Sequence, residues 1–253
     1  MEIKIEVDRV CPLPHFRERT EPIRYIILHC SRSNTEGQIE TLDRLGLSAH
    51  YIIGRDGIVT EVVSPDRVAY HAGKSRWRDS AGESLNGCSI GIELECPDMG
   101  QGRKSYHIRQ IKKLCKLLKE LIMKYKIRRE NILGHSDIAP TRKPDPGAGF
   151  PWQKLDMEGL VIPHRKNSCH ASHDELFLLK CIGYDTSVLA AARYAFCRHW
   201  LPEEVIVETD LQHLLDYPYP EDFVPADWNR YLKQLRSIAH AYEQERRLKF
   251  WYE

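Results

Sequence analysis

The sequence predicts an α/β fold followed by a helical C-terminal region, and three observations support this prediction. Short apolar runs of strand type recur in the first 165 residues, an amphipathic helix lies among them, and only helical patterns follow. The chain has 253 residues, of which 42% are hydrophobic and 29% charged. This composition is typical of a globular protein and excludes a disordered chain.

The predicted strands come first. Residues 24–29 form an apolar run, and residues 48–53 and 58–63 flank the turn signal Arg55-Asp56-Gly57, which is typical of a hairpin. In residues 89–95 (SIGIELE), large apolar residues alternate with Gly or Glu. A last short strand is expected in residues 131–135 (NILGH).

The predicted helix spans residues 108–125, where apolar side chains recur at helical spacing. Its opposite face is basic, with Arg109 and the lysines Lys112, Lys113, Lys116, Lys119 and Lys124. We interpret this face as a solvated surface, and a polyanion-binding or membrane-surface role is the alternative.

The sequence pattern changes after residue 152. Residues 162–168 read as a linker, and helices are predicted over 174–182, 187–199 and 227–248. We therefore place a domain boundary near Arg165, between a first domain of residues 1–165 and a helical region of residues 166–253.

Charge and cysteine usage limit the partners and the compartment. Lys and Arg number 37 against 36 Asp and Glu, a net charge of +1, so no nucleic-acid partner is expected.

No apolar run is long enough to span a membrane, and the first ten residues do not resemble a signal peptide. The eight cysteines contain no CxxC pair and are expected to be free thiols. A cytoplasmic location follows, with a periplasmic or secreted location as the alternative if a leader has been removed.

Polar residues with catalytic potential lie where predicted strands end. His29 ends the first strand, Glu93 lies in the strand SIGIELE, and His135 lies at the start of the polar run of residues 134–147. Two imidazoles and a carboxylate suit zinc and leave a fourth tetrahedral position free. Each residue alone has a simple structural explanation, so spacing alone does not identify the site.

The full set of motifs resembles the zinc N-acetylmuramoyl-L-alanine amidases of the AmpD/AmiD type, within the superfamily that includes peptidoglycan recognition proteins. The resemblance covers residues 23–152 and rests on IILH, AHYIIGRDG, YHAG, LNGCSIGIELE and GHSDIAPTRKPDPGAGFPW. It implies a central mixed β-sheet flanked by helices. It also implies hydrolysis of the amide bond between N-acetylmuramic acid, or its anhydro form, and L-alanine in peptidoglycan or muropeptides.

The resemblance assigns roles to individual residues. His29, His135 and Asp145 match the ligands of one catalytic Zn²⁺ ion. Glu93 matches the residue that handles the proton of the attacking water, and Lys143 matches a lysine that stabilises the oxyanion.

Other matched positions bear on the substrate. His71 and Asn86 match groove positions that contact substrate, whereas we expect His50 to be a buried structural residue. Gly46 and Ser84 align with arginines of the enzymes specific for anhydro-muropeptides, and their absence argues against strict specificity of that kind.

Two alternatives stay open. One is a recognition protein that binds muropeptide without cutting it, although in such relatives a metal ligand is usually replaced. The other concerns residues 166–253, which are either a degenerate peptidoglycan-binding module or a helical extension that packs on the catalytic domain. We favour the packed extension, because the final helix has a continuous apolar face. Oligomeric state and the choice between intact sacculus and soluble fragments are not determined by the sequence.

Overall fold

A mixed six-stranded β-sheet forms the centre of the protein. The computed structural model describes residues 3–78, 80, 83–100, 105–164, 168–205 and 218–248. The strands of the sheet are β1 (Arg9–Val10), β3 (Tyr25–Ser31), β4 (Tyr51–Ile53), β5 (Val59–Glu61), β7 (Ser89–Glu95) and β8 (Ile132–Gly134). Their order is β1-β5-β4-β7-β3-β8, and all neighbours are parallel except β4 and β5. β2 (Phe16–Glu18) and β6 (Arg67–Ala69) form a separate antiparallel pair. The α/β fold with a central mixed sheet is confirmed.

Helices complete the fold, and several of them match the predicted helices closely. Their bounds are α1 (Thr35–Arg44), α2 (Ile108–Tyr125), α3 (His135–Ile138), α4 (Trp152–Met157), α5 (Glu175–Ile182), α6 (Leu189–Trp200) and α7 (Trp228–Leu248). Short 3₁₀ turns lie at Asn86–Cys88, Arg129–Asn131 and Pro202–Glu204. Among the described helices, none has the length and apolar character that a membrane span requires.

One face of the sheet is covered by α2. Successive side chains of a strand point to opposite faces, so Ile26, Leu28 and Cys30 of β3 share a face with Ile90 and Leu94 of β7. All of these side chains are buried in one apolar cluster with Leu114, Leu118 and Leu121 of α2. On the solvent side of α2, the ammonium groups of three lysines pair with carboxylates of Asp8, Glu6 and Glu158. These pairs agree with the solvated-surface interpretation.

The opposite face carries the C-terminal helices. Tyr25 and Ile27 of β3 and Leu133 of β8 are buried in one apolar cluster with Leu178 of α5 and Tyr242 of α7. Because the cluster contains residues from both sides of position 165, the C-terminal helices share a core with the sheet. Arg165, the predicted boundary, lies outside the described residues.

Candidate metal centre

Strands β3 and β7 bring His29 and Glu93 side by side. The two strands are parallel, and His29 is the register partner of Glu93, so both side chains lie on the sheet face opposite to α2. Gly91, two residues before Glu93, leaves room on the same face. A Cβ atom at Gly91 would lie 2.4 Å from the ring of His71, so only glycine allows this imidazole to pack against the strand.

The polar run after β8 supplies the other two candidate ligands. His135 is the first residue of α3, and the backbone N–H of Ser136 donates to the carbonyl of Asp145 at 2.8 Å. This bond returns the loop to the start of α3 and places Asp145 beside His135. Gly147 closes the turn with φ +85°, a left-handed conformation in which glycine carries no steric penalty.

Three donor atoms converge at this point. Nδ1 of His29 lies 2.9 Å from Nδ1 of His135, and Oδ2 of Asp145 lies 3.1 Å from each of these nitrogens. All three residues are buried, and they are the one group of this kind among the described His, Cys, Asp and Glu residues. Tetrahedral Zn²⁺ with bonds of about 2.0–2.1 Å separates its ligand atoms by about 3.3 Å, so the spacing is close to that of three metal ligands.

The protonation states also fit a cation. Burial and the neighbouring His135 lower the pKa of His29 to about 4, so its ring is neutral. Burial alone would raise the pKa of Asp145, but His135 and His29 hold it well below its usual range. A neutral imidazole and an ionised carboxylate are the forms that bind metal ions.

Hydrogen bonds on the far side of each ring aim Nδ1 at the centre. Nε2–H of His135 donates to the carbonyl of Ala72 at 3.1 Å, which leaves a lone pair on Nδ1. For His29 the orienting contact is a longer series of hydrogen bonds. Ser89 donates its hydroxyl hydrogen to Leu85 at 2.7 Å, and its oxygen therefore accepts from Nε2–H of His71 at 3.1 Å.

This order of donors fixes the tautomer of His29. Nδ1 of His71 carries a lone pair, and it accepts from Nε2–H of His29 at 3.0 Å. Nδ1 of His29 therefore faces Nδ1 of His135 with a lone pair on each atom. Two facing lone pairs beside a carboxylate oxygen repel one another, so this donor set fits a positively charged ion.

The two predicted substrate contacts lie beside the centre. His71 is half-buried and touches His29 through the bond just described, while Oδ1 of Asn86 accepts from the backbone N–H groups of His71 and Ala72. Asn86 thus fixes the YHAG loop. His50 is fully buried, as predicted, and its Nδ1 accepts from the backbone N–H of Gly91 at 3.0 Å.

Glu93 and Lys143 are electrostatically coupled to the candidate ligands. Burial, followed by repulsion from Asp145, raises the pKa of Glu93 to about 8, and the positive charge of Lys143 opposes this shift. Among the described residues, Oε2 of Glu93 is buried without a hydrogen-bond donor. A carboxyl group whose pKa lies near neutral pH can accept a proton and release it again during a reaction, as general acid–base catalysis requires.

Two residues around the centre were not predicted. Gly91 supports His71, and a glycine within an otherwise regular strand was the available signal. Asp137, two residues after His135, is buried and accepts from the backbone N–H of Gly134 at 2.8 Å. An acidic residue at the third position of a helix commonly accepts from the backbone N–H of the residue before the helix, and this was the available signal for Asp137.

Comparison with known proteins agrees with the family resemblance of the sequence motifs. The profile of the N-acetylmuramoyl-L-alanine amidase family matches residues 19–148. The chain is 35% identical to the N-acetylmuramoyl-L-alanine amidase AmiD of Escherichia coli K12 over 153 residues, which cover 54% of each protein. It is 44% identical over 111 residues to the 1,6-anhydro-N-acetylmuramyl-L-alanine amidase AmpD of Enterobacter cloacae, covering 44% of this chain and 56% of the relative. The matched region thus spans little more than half the length of these curated relatives.

Solved structures match over a longer range. AmiD from Escherichia coli, in complex with the substrate anhydro-N-acetylmuramic acid-L-Ala-D-gamma-Glu-L-Lys, superposes with a TM-score of 0.66 at 26% identity, covering 90% of this chain and 92% of that one. AmpDh3 from Pseudomonas aeruginosa superposes with a TM-score of 0.68 at 23% identity, covering 89% and 93%, and supports the fold. Since the family profile covers half of the sequence, the chain belongs to the N-acetylmuramoyl-L-alanine amidase family.

Proposed function

We propose that the protein is a zinc hydrolase that cleaves the amide bond between N-acetylmuramic acid, or its anhydro form, and L-alanine. The observation that carries the proposal is the convergence of the donor atoms of His29, His135 and Asp145, together with the position of Glu93 beside His29 in the sheet register. Family membership adds the substrate class. Peptidoglycan or its muropeptide fragments are then the partners of this site.

The three donors would hold one Zn²⁺ ion. Two imidazole nitrogens and one carboxylate oxygen are a ligand set of catalytic zinc sites, which keep an open position for water or substrate. When bound, the ion supplies Lewis acidity toward water and toward the carbonyl group of the scissile amide. The contacts of His135 with Ala72 and of His29 with His71 hold the rings in place for this purpose.

Glu93 is the proposed general base. Its position beside His29 in the sheet register puts its carboxyl group next to the ligands, and its raised pKa favours proton uptake. It accepts the proton of the attacking water and passes it to the nitrogen of the departing L-alanine. Lys143 is the proposed oxyanion donor, because its positive charge acts at Glu93 and His29 and so lies near the reacting amide.

The substrate groove is proposed from the same surroundings. His71 is half-buried and bonded to His29, and Asn86 fixes its backbone, which supports both as substrate contacts beside the metal centre. The AmiD structure contains an anhydro-muropeptide, and the AmpD relative carries the 1,6-anhydro substrate in its name. We therefore take the anhydro-muropeptide as the first substrate to test, and intact sacculus as the second.

The experiment combines metal content with turnover. The purified protein is analysed for zinc and incubated with anhydro-N-acetylmuramic acid-L-Ala-D-gamma-Glu-L-Lys, with and without prior chelation. We expect about one zinc per chain, turnover that chelation abolishes, and recovery on addition of zinc. Tight binding of the muropeptide by the zinc-loaded protein without any turnover would instead identify a recognition protein.

A reducing compartment is part of the proposal. All eight cysteines are free thiols, and five of them are buried. We therefore propose a cytoplasmic location, with a periplasmic or secreted location as the alternative. Detection of the protein in fractionated cells with an antibody decides between them.

A further inference from the structure

Asp137 links the ligand loop to the C-terminal helices. The residue lies two positions after His135, and its side chain is 1% exposed. Oδ2 accepts from the backbone N–H of Gly134 at 2.8 Å, and so holds the backbone of the residue that directly precedes His135. The remaining donors come from the C-terminal region. The hydroxyl group of Tyr184 donates to Oδ1 at 2.8 Å, and Nδ1 of His199 lies 2.8 Å from Oδ2.

Both C-terminal donors are held rigidly. The ring of His199 is stacked between Trp152 at 3.8 Å and Trp200 at 4.1 Å between ring centroids. The ring of Tyr184 packs edge-on against Trp77 at 5.0 Å. Since the carboxylate of Asp137 can only accept, the facing nitrogen of His199 carries the hydrogen. Asp137 therefore has three fixed donors, and its position is fully determined.

The position of Asp137 determines the positions of two ligands. It fixes the Gly134 peptide and with it the start of α3, from which His135 projects. The next residue, Ser136, donates its backbone N–H to the carbonyl of Asp145. A shift of Asp137 would therefore move His135 and Asp145 away from His29.

We infer that Tyr184 and His199 are positioning residues for the metal centre, acting through Asp137 on His135. The inference rests on the proposed function, because it requires a metal at His29, His135 and Asp145. Groups that orient metal ligands typically contribute about 10- to 100-fold to metal affinity. The C-terminal helical region is accordingly part of the active-site framework, and it contributes to metal affinity as well as to stability.

The test compares two tyrosines that make the same kind of bond. Tyr184→Phe removes the hydroxyl group that donates to Asp137. The matched control Tyr231→Phe removes a buried hydroxyl group of α7 that donates to Glu175 at 2.7 Å. Glu175 makes no contact with the backbone of the candidate metal ligands in the bonds described above. Both substitutions keep the ring.

Zinc affinity is measured by competition with a chromophoric chelator, and the melting temperature of the metal-free protein is measured in parallel. We expect Tyr184→Phe to weaken zinc binding by about 10-fold or more. Tyr231→Phe should lower the melting temperature similarly and leave zinc affinity at the wild-type value. If Tyr184→Phe does not fold, His199→Phe, which keeps the stacked ring and removes the donor, serves in its place with the same expectation.

The outcomes separate the inference from the proposed function. Wild-type zinc affinity in both tyrosine variants, or an equal loss in both, would overturn the positioning role. A wild-type protein that binds no zinc at all would overturn the proposed function, and with it the premise of the inference.

Discussion

Removal of the C-terminal region should destabilise the catalytic domain. Trp77 is 1% exposed, and its ring lies against Tyr184 at 5.0 Å and Tyr242 at 6.3 Å, both from beyond residue 165. A fragment of residues 1–165 lacks both partners. It also leaves Asp137 with one of its three donors.

The expected loss can be worked from these contacts. An aromatic side chain buries about 150–250 Å². At about 25 cal/mol per Å², exposure of half of Trp77 costs about 2–3 kcal/mol. The two lost hydrogen bonds to the charged carboxylate of Asp137 add about 1.5–3 kcal/mol each. The total, about 5–9 kcal/mol, is comparable to the entire stability of a typical domain, about 5–15 kcal/mol.

Thermal unfolding and two activities measure the effect. We expect the 1–165 fragment to aggregate, or to melt about 10 °C or more below the full chain. Turnover of soluble anhydro-muropeptide should fall together with stability. A soluble fragment that melts like the full chain, retains turnover of soluble muropeptide and is defective only on sacculi would refute this reasoning. It would show that residues 166–253 are a separate wall-binding module.

Three further predictions concern single residues. Glu93→Ala should keep zinc and lose about 10²- to 10⁴-fold in turnover, whereas Glu95→Ala, two residues along the strand, should change turnover little; the reverse result would move the base to Glu95. Lys143→Ala should lower kcat by about 10²- to 10³-fold and raise KM less, and an effect on KM alone would make Lys143 a substrate contact. Burial and the nearby His199 lower the pKa of His164 to about 3, so between about pH 3 and 6.5 the unfolded chain binds the proton and the folded protein does not. Stability should therefore fall as the pH falls below 6.5. In urea titrations His164→Phe should lose about 2 kcal/mol less than wild type between pH 7.5 and 5, and identical losses would contradict the assignment.

Local patterns made much of the fold predictable. The alternation in SIGIELE predicts the strand β7, and the apolar stripe from Ile108 to Tyr125 predicts α2, with the same bounds as in the structure. The helix α1 was not predicted. It packs only Ile39 and Leu42 against a small apolar cluster, so its periodic signal is weak. The pair β2 and β6 was not predicted because β2 is short and exposed.

Part of the candidate site could also be predicted from the sequence, and part could not. His135 and Asp145 could be named because the run that contains them is long and specific, and His29 because the full set of motifs resembles one family. The structure brings their donor atoms together. The contacts of Tyr184 and His199 with Asp137 could not be predicted. They join residues 47 and 62 positions apart, and no spacing rule relates a C-terminal helix to a loop after β8.

The most direct test of the proposed activity is the mass of the products. The protein is incubated with anhydro-N-acetylmuramic acid-L-Ala-D-gamma-Glu-L-Lys before and after removal of metal, and the products are identified by mass spectrometry. We predict anhydro-N-acetylmuramic acid and the free peptide L-Ala-D-gamma-Glu-L-Lys, formed only by the metal-loaded protein. Cleavage within the peptide, or the same products after complete removal of metal, would contradict a zinc amidase built on His29, His135 and Asp145.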